Sequence, residues 1–360
     1  MYGNQVKVIQ VLSPSLLSTP KLNEILHLAL ANRRDSLNNT PMDSITQFAL
    51  GASVGEAVLG RKAGNRAPLI GGIIATLPDL DSFIPWNDAV ATFTYHRSAS
   101  HSLLVLTAVT PLFTWLVLKL QPPLRAFRQR TFWLIFLAFI THPLLDAFTV
   151  YGTQLFWPIT DYPISGSTIF IVDPAYTLWL LIGFMTAMVA SREKVLGHRI
   201  NTAGLILSSV YLGWTVVAKV IVDQKAEAAL SAQNITFERF MTTPAPFNTA
   251  VWRIIGRDDD GYFDGFYSFL PDSAPIRFNH YPSDDGLLDT ISEHWPVQRL
   301  LWFTHGFYRV SLQGGDILIT DLRMGLEANY RFIFKVAETS VLGTVPVTST
   351  QLPQAPFLEN

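Results

Sequence analysis

The chain has 360 residues, 49% of them hydrophobic and only 15% charged, with a formal net charge of −2. Its mean hydropathy of +0.27 is too high for an ordinary soluble protein, and a pI near 6.4 leaves no basic stripe to neutralise phosphates, so no nucleic-acid partner is expected. There are no cysteines, which excludes disulfides and thiolate metal sites and restricts any metal to His and carboxylate ligands.

Residues 1–12 lack the charged start, apolar core and small-residue cleavage site of a secretory signal, so insertion would depend on internal apolar segments. Residues 1–41 read as an upstream extension, either disordered or the product of a start assigned too early. Residues 45–59 are apolar at helical spacing but short, and they carry Glu56; they read as a helix packed in the domain or half-inserted. Five longer segments follow, 67–84, 101–120, 131–150, 175–190 and 201–222. Their lengths approach the ~20 residues a helix needs to cross the hydrocarbon core, the fourth being short.

Residues 42–222 therefore read as a multi-span helical membrane domain, and 223–343 as a soluble β-rich domain. In the latter, Gly256-Arg-Asp-Asp-Asp-Gly261 is a turn signal, and 262–270, 276–280, 316–321 and 330–336 alternate or run apolar as strands do. Residues 344–360, rich in Pro, Thr and Gln, read as an extended tail. The expected fold class is a mainly α polytopic membrane helical bundle with a C-terminal extracytoplasmic β-rich domain.

The connecting segments alternate in charge. Arg61, Lys62 and Arg66, then Lys119, Arg125, Arg128 and Arg130, then Arg192, Lys194 and Arg199 mark three cytoplasmic segments by the positive-inside rule. The loops between them hold Arg97 as their one basic residue and are expected outside, with Trp86, Tyr95, Trp157 and Tyr162 as an interfacial aromatic belt. That orientation gathers Asp79, Asp81, His96, His101, His142 and Asp146 at one membrane face. Each buried Asp costs ~2.5–3.5 kcal/mol at a span centre, so a divalent cation or a water-filled cleft is needed to offset three of them.

Three motifs carry these residues. In Leu77-Pro-Asp-Leu-Asp81, Pro78 interrupts helical bonding and lets both carboxylates turn to one point; an Asp capping a short surface helix is the plainer alternative. In His96-Arg-Ser-Ala-Ser-His101, His96 is expected on a loop, Ser100 as helix cap and His101 in the first turn, with Arg97 free to bind an anion. The same pair could equally be plain polar residues at a headgroup boundary. In His142-Pro-Leu-Leu-Asp146, the four-residue spacing puts both side chains on one helical face, and the proline is expected to kink the span. Asp146 bonding His142 within a bundle is the alternative there. Asp173 before Pro174 reads as a helix N-cap, while Gln47 and Glu56 could reach the cleft but more often lie on a helix surface.

Taken in order, these motifs, with Met42-Asp-Ser-Ile-Thr-Gln47, Tyr151-Gly-Thr-Gln-Leu-Phe-Trp-Pro158 and Trp302-Phe-Thr-His-Gly-Phe-Tyr308, resemble the YdjM family of bacterial inner-membrane metal-dependent hydrolases. The family is similar to helical zinc phosphodiesterases. That resemblance implies Asp79, Asp81, His96, His101, His142 and Asp146 as metal ligands, with one or two Zn²⁺ ions. Some relatives carry His where this chain has Gln47, which would remove one ligand.

The expected function is hydrolysis of a phosphoester of a lipid, lipid-linked or small phosphorylated substrate at the outer face, by metal-activated water, with Asp79 and Arg97 in catalytic roles. Membrane lipids are the expected surroundings. A non-enzymatic scaffold, or an ion or proton pathway, is the alternative.

Overall fold

Pro78 decides how the first long apolar stretch folds. In the computed structural model, which describes residues 42–353 except 85, 191–194, 271–274, 328 and 342, helix α2 (Arg66–Thr76) stops before it and Pro78–Phe83 coils as a 3-10 turn. The expected span at 67–84 is therefore not one helix; the 11 residues of α2 reach only ~16 Å, against a hydrocarbon core of ~30 Å. The expectation for residues 1–41 lies outside the described residues, and Asp43–Asn360 forms one compact unit.

Helix α1 (Met42–Gly55) continues through a π-helical turn, Glu56–Gly60, and packs on α2 with almost no side chain between them. A Cβ at Gly51 would run into the Gly71 carbonyl oxygen, one at Gly71 into that of Gly51, and one at Gly55 into that of Ala67. Small residues let helix backbones approach this closely, a common arrangement among membrane helices. Gly51 and Gly55 form a small-xxx-small pair that sequence reading did not single out.

After a short helix α3 (Ala89–Tyr95) and a 3-10 turn at Ala99–His101 come α4 (Leu103–Leu120), α5 (Arg128–Asp146), α6 (Pro174–Val189) and α7 (Leu196–Ala232). Among the described residues, two helices, α4 and α7, are long and apolar enough to cross a membrane; α2 and α6 are apolar but shorter. Helix α5, expected as a third span, is not among those two; its inner face packs in the core, with Leu134, Ile135, Ala138 and Phe139 buried against Leu106, Ile74 and Leu59. Pro143 sits inside α5 without ending it, and His142 keeps helical geometry in a helix that persists to Asp146. Asp173 caps α6 as expected, accepting from the Ala175 and Tyr176 amides.

Helix α7 runs past the expected boundary at 222 to Ala232; its 37 residues span ~55 Å, far more than the hydrocarbon core requires. Its C-terminal turns enter the β-rich part, with Ala218 and Val222 packed on Trp252. There, strands β1 (Arg239–Pro244), β2 (Val251–Asp258), β3 (Gly261–Ser268) and β4 (Phe278–Pro282) form an antiparallel meander. The β2–β3 hairpin turns at the acidic signal, pairing Asp258 with Gly261.

Helix α8 (Trp295–Phe303) leads to a second antiparallel sheet. It contains β5 (Tyr308–Gln313), β6 (Asp316–Asp321), β9 (Ile333–Ser340) and β10 (Gly343–Gln351), in the order β10-β9-β6-β5. A two-stranded ribbon, β7 (Gly325–Leu326) and β8 (Asn329–Tyr330), intervenes. The expected extended tail is corrected in part: β10 is an edge strand paired with β9, while 354–360 lie outside the described residues.

The helical and β-rich parts share one core. Val90 and Phe93 of α3 and Tyr151 pack with Leu300, Phe303, Ile319 and Phe334. Arg323, buried and paired to Asp321 at 2.7 Å, donates to the carbonyls of Val150 and Tyr151. The β-rich part is thereby fixed to the segment that follows α5.

Candidate metal centre

Four of the six expected residues meet at one point. The Nε2 atoms of His101 and His142 are 3.0 Å apart. Asp79 Oδ1 lies 3.4 Å from His101 Nε2 and 3.3 Å from His142 Nε2. Asp146 Oδ2 lies 3.2 and 3.4 Å from the same two atoms. These four donor atoms all fall within 4.8 Å of one another, a group that could hold a metal ion.

Local structure explains the convergence. His142 and Asp146 are one helical turn apart on the inner face of α5. The 3-10 turn opened by Pro78 swings Asp79 across from the end of α2, and the Ala99–His101 turn delivers His101 from the other side. His101, His142 and Asp146 are fully buried; Asp79, with 17% of its side chain exposed, is the edge of the cluster that meets solvent.

Asp81 and His96 do not join this point. The 3-10 turn aims the two carboxylates at different partners: Asp81 Oδ1 pairs with His96 Nδ1 at 2.7 Å, and its Oδ2 accepts from the Arg97 amide and the Ser100 hydroxyl. The expectation of six side chains around one shared centre is thus reduced to four plus an adjacent pair. Ser100 is not the cap of α4; Ser102 is, accepting from the Val105 amide, and it precedes the helix together with His101. Ser100 instead lies 2.9 Å from His101 Nδ1, bridging it to Asp81.

Arg97 also turns inward. It has a left-handed backbone, is 1% exposed, and sets Nε 3.3 Å from Asp146 Oδ2 while Nη1 donates to Thr149 Oγ1. Its guanidinium lies over the Tyr151 ring. Gln47, a weaker candidate from sequence, is fully buried and donates to Asp146 Oδ1 at 2.8 Å and to the His142 carbonyl. Thr149 carried no sequence signal; it is brought in by the turn that ends α5.

The donor set and its spacing suit a small divalent cation. Donors ~2.0–2.1 Å from a zinc ion at tetrahedral angles lie ~3.3–3.4 Å apart; five of the six separations here are 3.0–3.4 Å, and the sixth, between the two carboxylates, is within 4.8 Å. Burial points the same way. Asp146 Oδ2, the oxygen aimed at both imidazoles, is a buried acceptor with no hydrogen bond, in a region where such atoms are normally satisfied. Two carboxylates at most 4.8 Å apart repel by roughly 3–4 kcal/mol at an effective dielectric near 20, and Arg97 offsets one of them.

Among the described residues, two helices long and apolar enough to cross a membrane, an Asp₂His₂ cluster beside one of them and an antiparallel β-rich C-terminal part are the features of a membrane protein with a candidate metal site. The chain belongs to the YdjM family: the family model, described as YdjM inner membrane protein, matches residues 42–222. No curated protein and no solved structure matches the chain.

Proposed function

We propose that this is a multi-pass inner-membrane hydrolase that holds a divalent metal, zinc by its donor set, and cleaves a phosphoester of a lipid or lipid-linked substrate. The observation that carries this reading is the convergence of donor atoms from Asp79, His101, His142 and Asp146 within 4.8 Å of one another. A bound ion would supply Lewis acidity and an activated water. Asp79, the one partly exposed ligand, would yield its position to substrate. Arg97 would act through Asp146, holding it and balancing its charge, and Asp81 and His96 would orient His101 from behind. In this reading α2, α5 and α6 join α4 and α7 within the membrane. The Lys/Arg bias of the connecting segments supports placing the metal centre and the β-rich part outside the cytoplasm.

One feature favours a second reading. Four protein ligands close a tetrahedral shell, as structural zinc sites do, whereas catalytic sites keep a position open. On that reading the ion staples α5 to the 78–83 and 99–101 turns, and the protein is a scaffold.

Elemental analysis of the purified full chain, combined with release of headgroup or phosphate from phospholipid vesicles, separates them. The hydrolase reading expects a stoichiometric transition metal and turnover, both lost in His142→Ala. Bound metal without turnover supports the scaffold, and protein purified without a transition metal sinks both.

A further inference from the structure

We infer that an apolar lip beside the metal centre, made of Leu80, Phe83 and Ile84 on one segment and Phe156 and Ile159 on another, inserts into the bilayer leaflet at the N-terminal end of α4. Phe83 is 78% exposed and Ile159 80%, and Leu80, Ile84 and Phe156 are about half exposed. Scattered exposed apolar residues are ordinary, but a cluster of large ones beside a site marks an interaction surface.

Both segments are tied to the start of α4. The Pro78–Phe83 turn packs on the Ala99–His101 turn, with the Ser100 hydroxyl on Asp81. From the other segment, the Leu155 carbonyl accepts from the Leu103 amide and the Trp157 carbonyl from the Ser102 hydroxyl. The lip thus surrounds the residues that lead from His101 into a helix long and apolar enough to cross a membrane.

That helix names the occupant. Leu104, in its first turn, is exposed, and Leu112 and Trp115 continue an outward apolar face along α4. A leaflet covering this face would meet the lip where α4 begins, since Leu103 and Ser102 are bonded to Leu155 and Trp157. Trp86, exposed and with its ring centroid 4.7 Å from that of Tyr95, lies just beyond Ile84 and suits the headgroup level, where aromatic side chains with a polar tip are favoured. Asp79, the open edge of the cluster, directly precedes Leu80. A lip at that depth would present lipid headgroups to the cluster. This last step rests on the hydrolase reading, whereas the insertion itself does not.

The absence of cysteine makes the test direct. Phe83→Cys and Ile159→Cys, each labelled with bimane in the full chain, are reconstituted into vesicles of equal phosphatidylethanolamine and phosphatidylglycerol. Val341→Cys, at a fully exposed hairpin tip, is the aqueous control. Labels at Phe83 and Ile159 should be blue-shifted and quenched by nitroxides on acyl chains, at a depth ~5–10 Å below the headgroups, while Val341 is quenched by soluble iodide. Iodide quenching of all three alike overturns the proposal. So does a blue shift at the lip untouched by lipid nitroxides, which would place a protein partner or a second copy there. The same depths are expected in a His142→Ala background, so loss of the metal function cannot be mistaken for loss of insertion.

Discussion

His101 and His142 approach head to head, Nε2 to Nε2 at 3.0 Å, across 41 positions of sequence and with both rings fully buried. Two imidazoles placed so, with a carboxylate oxygen on either side, share a cation more readily than a proton, because four donor atoms converge where one N–H could satisfy only one acceptor. Removing the ion should therefore cost stability. A ligand present at a hundred times its dissociation constant stabilises by ~2.7 kcal/mol, so chelation should lower the melting temperature by several degrees and zinc should restore it. Calorimetry with and without chelator checks this; identical melting curves would mean that no metal is bound.

Asp146 and Asp79 should separate stability from metal binding. Asp146→Ala removes the carboxylate from beside the buried Arg97 guanidinium, and breaking a buried charge pair costs about 3–5 kcal/mol. Asp79 lies at the partly exposed edge, so Asp79→Ala should bind metal as poorly while unfolding within about 1 kcal/mol of the wild type stripped of metal. Denaturation midpoints and metal content measured on both variants test the split.

The contact between α1 and α2 predicts a steep penalty at Gly51. A methyl there would enter the space of the Gly71 carbonyl, so Gly51→Ala should cost about 1–3 kcal/mol by forcing the helices apart, and Gly51→Leu more. Gly213 has open space beside it, and Gly213→Ala should gain roughly 1 kcal/mol of helix propensity. Opposite signs in the two thermal shifts are the expected result.

What could be read in advance followed from local rules. The four-residue step from His142 to Asp146, the cap at Asp173 and the Asp258–Gly261 hairpin each depend on neighbours in sequence. The division of labour between Asp79 and Asp81 was hidden, because a 3-10 turn sends side chains two apart in directions that only its partners reveal. How much of α5 packs in the core was equally hidden, because an apolar run reads alike whether it faces lipid or protein. Strand β10 looked like a loose tail because an edge strand leaves most of its residues exposed and polar. The length of α7 was cut short where its apolar residues thin out, although its helix continues to carry the β-rich part.

His305 should make the β-rich part sensitive to mild acid. Its Nε2 lies 2.9 Å from the Pro163 carbonyl, and burial, reinforced by the nearby Arg323 charge, holds its pKa below the ordinary 6.5. Above 6.5 the ring is neutral whether folded or not, and nothing is lost. As pH falls through 6.5 the unfolded chain takes up a proton that the folded one refuses, so stability declines until the lower folded pKa is passed. Denaturant midpoints followed across that window should fall with acid in the wild type and less steeply in His305→Gln.

Ser100 is the place to test whether the residues behind His101 tune the metal. Its hydroxyl bridges Asp81 and His101 Nδ1, the nitrogen left over when Nε2 points at the cluster. Partners of this kind fix the ring and raise its basicity, and losing one typically weakens metal affinity about 10–100-fold. Ser100→Ala removes the bridge but none of the four donors, so competition with a chromophoric chelator should show weaker binding at unchanged stoichiometry. Ser98→Ala provides the contrast, since Ser98 donates to the Tyr95 carbonyl and touches neither imidazole; its affinity should match the wild type. If both serine variants bind metal equally tightly, the Asp81–Ser100 bridge is only packing, and His101 is oriented by the Ala99–His101 turn alone.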